Sequence, residues 1–374
     1  MITSETSGVW SLDDVYHKDN AGYLSYSDTT VGLFSWGSNN NMGLLGQNDN
    51  ITRSSPTQIP GTQWSLVSAE DNTSFAIKTD GTLWSFGDNV DGGLGLNDKV
   101  DRSSPYQIPG TQWNKVSNSS RCFSALKTDG TLWICGRGIH GELGQNSTVS
   151  YSSPRQVPGT QWNSVNMGNF FAFATKTDGT LWGWGVNEYG YLGLNDRIFH
   201  SSPIQIPGTQ WSNWSSSSYL SNILTKTDGT LWSWGYNGGS RLGLGDVVPR
   251  SSPTQLPGTQ WNFSDIGNSS GYAIKTDNTF WTWGLNTYGE LGLNSVIDYS
   301  SPMQISGTQW ETVNSGFQQA FAKKTDGTLW GWGYGDTGQL GITDVVPRSS
   351  PTQIPGTNWN TFSAGRNHVL AIKQ

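Results

Sequence analysis

One block of 49 or 50 residues is written seven times along this chain, and that period limits its fold more than any other feature. The pairs Leu33-Phe34, Leu83-Trp84, Leu132-Trp133, Leu181-Trp182, Leu231-Trp232, Phe280-Trp281 and Leu329-Trp330 follow one another at steps of 50, 49, 49, 50, 49 and 49. Ser-Ser-Pro begins at Ser54, Ser103, Ser152, Ser201, Ser251, Ser300 and Ser349 in the same register. A Trp, mostly within Gly-Thr-Gln-Trp, recurs at Trp64, Trp113, Trp162, Trp211, Trp261, Trp310 and Trp359. Length alone would allow two or three domains, but three markers in one register describe a single repeat architecture.

Each unit reads as strands. FAIKTDGTLWSFG (75–87) holds two apolar runs split by Asp80-Gly81. Asp-Gly between such runs signals a two-residue type I′ hairpin, which needs positive φ at both positions. Asp277-Asn278 takes this place in one unit, and Asn tolerates the same conformation. The stretch after Trp64 supplies an earlier strand. PTQIP (56–60) supplies a short last one, with Pro at its start, where a missing donor is tolerated. Four short antiparallel strands per unit, repeated, form the pattern of a β-propeller blade. The expected class is therefore all-β, a seven-bladed propeller of four-stranded antiparallel blades over residues 31–374.

The motifs WGYGDTGQLG (332–341), GELGLN (289–294) and SAGRNHVLAIK (363–373) resemble the repeat of the regulator of chromosome condensation (RCC1) family. The resemblance covers residues 31–374 in seven copies and implies a seven-bladed propeller. The His common in the family's second strand occurs only as His368; Thr73, Cys122, Phe171, Ser221, Ser270 and Gln319 stand at the equivalent positions. The family's best-known activity, nucleotide exchange on a small GTPase combined with chromatin binding, is carried by insertions and tails. Here the units stay at 49–50 residues, so that activity is not carried over.

The last unit stops at VLAIKQ, before its Asp-Gly turn, and the first begins at GLFSWG, with no strand before it. Together they make one blade, so strands from the two ends are expected to pair and close the ring, removing the edges an open sheet would expose. The repeated KTDGTLWGWG is then a hairpin whose Trp wedges between neighbouring blades. Each such Trp buries ~150–250 Å², roughly 4–6 kcal/mol of gross transfer free energy at ~25 cal/mol/Å².

With strands running up and down, the loops after the first and third strands share one face. The turn after the second strand and the connection to the next blade share the other. The second face is nearly constant, Thr-Asp-Gly-Thr and Pro-Gly-Thr-Gln, and its seven equivalent lysines, Lys78 to Lys373, read as solvated hairpin ends balanced by Asp. Variation gathers on the first face: loops such as GNFF and GFQQ after the first strand, VNEYGY and YNGGSR after the third. Tyr and Arg are enriched at interface hot spots. The candidate partner-binding residues there are Arg137, His140, Tyr189, Tyr191, Arg197 and Phe199, followed by His200, Tyr236, Arg241, Tyr288 and Tyr299.

Catalytic and cofactor chemistry finds no purchase. The four histidines, His17, His140, His200 and His368, lack metal-ligand spacing. GLGLND follows a hairpin and opens no helix, so it offers no phosphate cradle. Cys122 and Cys135 read as buried thiols, because a two-residue turn would set Ser124 opposite Cys135 and leave Cys122 diagonal, a poor geometry for a disulfide. The net charge of −7 argues against a nucleic-acid partner. No apolar run approaches the ~20 residues of a membrane span, and the first residues show no secretory signal.

Residues 1–30 precede the repeat. SGVWSLDDVYHKDNAGY (7–23) reads as a short helix, with Ser11 as N-cap, and resembles leaders of structural proteins of marine tailed phages. It is expected either to attach the propeller to a larger assembly or to cap it. The reading favours a non-enzymatic module on a virion surface or tail, presenting a loop-rich face to a protein or glycan. A free binding module such as an enzyme inhibitor is the alternative, and nucleotide exchange comes after both.

Overall fold

A computed structural model describes residues 31–40, 42–212 and 220–374. Seven antiparallel sheets follow one another as the blades of a propeller. In blade 1 the order from the inside is Trp64–Glu70, Thr73–Lys78, Leu83–Gly87 and Arg102–Ile108. Blades 2, 3, 5 and 6 repeat it. In blade 4 the described residues form three strands, and Trp211 bridges Lys226 where the inner strand begins. The leader helix expected over residues 7–23 lies outside the described residues, as do Trp10 and Trp214.

Blade 7 closes the ring. Its inner strands, Trp359–Ala364 and His368–Lys373, come from the C-terminal end, and Gly32–Gly37 and Arg53–Thr62 from the N-terminal end. Gly32 to Gly37 pair residue for residue with Lys373 to His368. The expected closure is what the structure shows.

The hairpin differs in detail. Lys78 N–H bonds to Thr82 O, and Gly81 N–H to Lys78 O, so Thr79-Asp80-Gly81 form a three-residue loop. Only the third position needs a left-handed conformation: Gly81 has φ +76°, and Asn278 has φ 63° in the same place. This is a type I turn closed by a left-handed residue, not the type I′ turn that Asp-Gly suggests. The extra residue shifts the register by one, so Phe123 faces Cys135 and Cys122 faces Gly136. Both cysteines are buried free thiols.

The outer strand is longer than PTQIP. It starts at the residue before Ser-Ser-Pro and holds the proline in its interior, beside a register shift. An edge strand at an irregularity tolerates the lost donor.

The constant motifs are stitches between blades. Gly81 O accepts the N–H of Trp113 in the next blade at 3.0 Å, and within blade 1 Thr79 N–H reaches Gln63 O, at the connection from blade 7, at 2.8 Å. Thr-Asp-Gly-Thr and Gly-Thr-Gln-Trp are thus each other's partners. At the opposite rim the first Ser of each Ser-Ser-Pro accepts an N–H from the preceding blade, as in Asn195 to Ser251 O at 2.7 Å. A Cβ on Gly190 would lie 2.4 Å from the Ser251 Cα, which excludes any side chain there. Around the centre the inner strands are tied laterally: Ser117 Oγ accepts Met167 N–H at 2.9 Å, and Asn314 Oδ1 accepts Ala364 N–H at 2.6 Å.

Among the described residues the hydrophobic core is divided into seven clusters, each drawn from two adjacent blades. The two Trp of the decapeptide have separate tasks. The second fills the wedge: Trp184, Trp234, Trp283, Trp332 and Trp36 are fully buried, and each indole donates to a loop carbonyl of the preceding blade, Trp184 to Glu142 O at 2.9 Å. The first is half-buried at the constant face. Trp182 Nε1 donates to Thr180 Oγ1 at 2.9 Å, which donates to Asp178 Oδ1 at 2.6 Å. Lys176 then lies between two rings, 5.0 Å from Trp162 and 4.5 Å from Trp182. Five more lysines, Lys78, Lys127, Lys226, Lys275 and Lys324, sit between equivalent pairs. They are part of the packing, not solvated ends, because an alkylammonium gains from aromatic faces on both sides.

Candidate partner-binding face

The loops after the inner and third strands form one rim, and most of their polar groups brace the loops themselves. Asn187 is fully buried: its Oδ1 accepts Leu192 N–H at 2.8 Å and its amide donates to Asp196 Oδ1 at 2.6 Å. Asn89, Asn237 and Asn286 take the same place.

The residue before Ser-Ser-Pro answers the one four positions earlier. Arg53, Arg102, Arg250 and Arg348 pair with Asp49, Asp98, Asp246 and Asp344 at 2.5–2.7 Å. His200 faces Asp196 at 3.9 Å. Where Ser147 and Ser295 replace the acid, Tyr151 and Tyr299 replace the base. The Arg53 guanidinium holds the Asp49 carboxyl below its ordinary value. His200 and Tyr299, expected as partner contacts, are half-buried, and His200 faces an acid of its own loop.

What remains is an arc of aromatic and cationic side chains over blades 2 to 6. Between blades 2 and 3, the His140 ring meets Phe170 at 5.8 Å and Phe199 at 6.5 Å, both edge-on. Arg137 lies 3.4 Å from His140 Nε2 and 5.7 Å from the Phe170 ring. Burial, then the Arg137 charge, lowers the His140 pKa. Phe199 is 49% exposed, and Arg197 beside it is exposed as well. Between blades 3 and 4, Tyr189 touches Tyr191 at 5.8 Å and Tyr236 at 5.4 Å, and Arg241 lies over Tyr236 at 5.1 Å. Tyr288 meets Tyr334 at 5.0 Å, and Arg366 covers Phe317 at 4.5 Å.

Two of the expected contacts lie inside. Tyr191 is 3% exposed and stacks on Phe171 at 5.5 Å, and Arg241 is 6% exposed. Tyr191 belongs to the core cluster between blades 3 and 4, because it replaces a residue whose side chain turns back into its own loop. Phe170, Phe317 and Tyr334 of the arc, and Arg366 of blade 7 at its end, are absent from the sequence-derived set. Their signal was present in loops such as GNFF and GFQQ, whose variability marks the face without saying which residue is exposed. A further signal is periodic: Ile51, Val100, Val149, Ile198, Val248, Ile297 and Val346, two residues before each Arg, His or Tyr, are all 52–63% exposed. Blade 1 differs in chemistry, carrying Glu70 at the end of its inner strand and Asp71, Asp88, Asp91 and Asp101 on its loops. Among the described residues no helix is long and apolar enough to cross a membrane.

The model of the regulator of chromosome condensation (RCC1) repeat matches residues 80–120, 129–175, 178–218, 228–266, 277–322 and 326–372. Comparison with curated protein sequences finds no match. Among solved structures, human WBSCR16 superposes with a TM-score of 0.82 at 18% identity, covering 92% of this chain and 99% of its own. Prp20p from Saccharomyces cerevisiae, described with its binding properties to Gsp1p and histones, gives 0.81 at 18% identity, over 95% and 94%. Yeast RCC1 (Prp20) bound to Kap60 gives 0.82 at 17% identity, over 100% and 95%. At these identities the likeness is one of fold.

Proposed function

Since the chain belongs to the RCC1-repeat family, we propose that it is a non-enzymatic binding module whose partner is a protein docking on the aromatic arc of blades 2 to 6. One observation carries this reading. The constant face is held in stitches and Lys–Trp packing, whereas the variable face leaves Tyr189, Phe199 and Tyr288 at 37–49% exposure with no bracing task. Large aromatics beside Arg are the residues that dominate interface energetics. That the neighbours Prp20p and yeast RCC1 are described with protein partners agrees with a protein as occupant. The buried acids of the face, Glu142 and Glu290, accept backbone N–H groups of their own loops, which favours a structural role over acid–base chemistry.

The setting we favour is a virion surface or tail, with residues 1–30 as the attachment segment. Its support is the resemblance of residues 7–23 to phage leaders. A free module, such as an enzyme inhibitor, uses the same face.

The test compares Phe199→Ala with Tyr189→Ala on the arc against Thr160→Ala with Thr209→Ala on the constant face. Affinity for the protein captured by the unaltered chain falls at least ~10-fold in the first pair, as the loss of ~1.4 kcal/mol or more requires, and is unchanged in the second. The reverse pattern places the interface on the wrong face.

A further inference from the structure

Among the described residues, Arg241 is a buried cation with no anion. It occupies the position that Glu142, Glu290 and Gln339 hold in blades 2, 5 and 6. There the side chain curls back and accepts a backbone N–H two residues earlier, at 2.6–2.9 Å. A guanidinium accepts nothing, so Arg241 makes a different bond: its Nε donates to Gly238 O at 2.9 Å. Nη1 is buried with no hydrogen-bond partner. None of the ion pairs among the described residues includes Arg241. Three tyrosines stand around it: Tyr236 under the guanidinium, Tyr189 against Tyr236, and Tyr191 against Tyr189. Burial lowers its pKa to about 10, still far above neutrality, so the charge is present. An uncompensated buried charge is among the most unfavourable features a folded protein holds, and it is relieved by an anion.

We infer that Arg241, framed by Tyr189, Tyr191 and Tyr236, is the receiving site for one acidic side chain of the docking protein. This rests on the docking reading above and names one contact within it. A carboxylate fits better than a phosphate group. Arg241 is the one buried Lys or Arg among the described residues and balances one negative charge, and the chain's net charge of −7 opposes a more highly charged ligand. Carboxylate and guanidinium also match as bidentate partners. For the same reason the partner presents an isolated acid, not an acidic run.

The test uses the full chain and needs no partner. Protein labelled with ¹⁵N-arginine is titrated with sodium acetate at constant ionic strength, with acetamide and sodium phosphate as separate arms. The Arg241 Nε–H resonance is assigned by its loss in Arg241→Gln, or in Arg241→Lys if the first does not fold. The expected result is a saturable shift of that resonance by acetate in the millimolar range, no shift by acetamide, and no tighter response to phosphate. A blank or non-saturating acetate titration overturns the site, and a tighter response to phosphate overturns the carboxylate assignment. Melting supplies a second readout. Arg241→Met removes the uncompensated charge and is expected to melt at the same temperature or higher; a drop of more than ~5 °C marks Arg241 as a packing residue of the fold and overturns the proposal. A blank acetate titration leaves the Phe199 and Tyr189 result standing, so the two readings fail separately.

Discussion

His368 makes the closing blade acid-labile by a calculable amount. It opens the second strand of blade 7 and is fully buried. Its Nε2 lies 2.9 Å from Ser74 Oγ in blade 1, and that hydroxyl donates to Leu44 O at 2.9 Å. Ser74 therefore accepts from His368, which places the proton on Nε2. Nδ1 is buried without a partner, so a second proton would find no acceptor. Burial lowers the pKa from 6.5 to about 4. Between these values the unfolded chain binds a proton that the folded chain does not, so stability falls as pH falls through that window. Two and a half units at ~1.36 kcal/mol each amount to about 3 kcal/mol, lost between neutrality and pH ~4. Other carboxylates also titrate there, so the measurement is a difference. Urea unfolding of the unaltered chain and of His368→Gln is followed at several values from pH 7 down to 4. Glutamine stands at this position in blade 6 as Gln319, buried and bonded to Gly365 O and Arg366 O, so the blade accommodates it. The unaltered protein should lose about 3 kcal/mol more than the variant over this range. Parallel pH profiles would refute the reasoning.

Deletion of residues 359–374 removes the inner strands of blade 7 and leaves Gly32–Gly37 unpaired on one side; cooperative melting should be lost, and a truncated chain that melts like the intact one sinks the closure argument. Thr180→Val deprives the Trp182 indole of its acceptor and Asp178 of a donor, at a cost of about 1 kcal/mol in urea unfolding, with no effect on partner affinity.

The fold was legible because its constant residues are its inter-blade bonds. Ser-Ser-Pro, Gly-Thr-Gln-Trp and Thr-Asp-Gly-Thr recur wherever one blade's backbone must meet the next, and seven such meetings fix seven blades. The turn type was not legible, because Asp-Gly serves both the two-residue loop and the three-residue loop, and register alone separates them. The lysine ring was misread for a similar reason. A Lys two residues from an Asp looks like a charge pair along the strand, whereas Trp162 and Trp182, twenty residues apart, meet only once the strands pair. On the candidate face, composition identified the side but not the depth. Tyr189 and Tyr191 differ by two positions and by 38% against 3% exposure, because one points off the loop and the other replaces its internal prop. The Asp–Arg braces were written plainly at a spacing of four, and the exchange to Ser with Tyr in two blades is the mark of a contact between those positions.

The division between faces follows from what each stitch uses. At the constant face the backbone bonds are joined by side-chain ones, Trp182 to Thr180 to Asp178 and Lys176 between Trp162 and Trp182 in blade 3, so the turn residues cannot change without losing them. At the other rim the bond runs through backbone at Asn195 and Ser251, and the packing through Gly190; the side chains between them, Tyr189 and Arg197 to Phe199, are not used. Backbone bonds hold the loop's path whatever side chains it carries. The loops of one rim are therefore fixed in position and free in chemistry, a combination that suits recognition, since rigid anchors lose little entropy on binding. The sevenfold ring would repeat any anchor seven times, yet aromatic residues gather on blades 2 to 6 and acids on blade 1. A partner that read the repeat would meet seven equal blades. One that reads this arc meets a single orientation, with Phe199 and Tyr189 at its middle and the uncompensated Arg241 beside them.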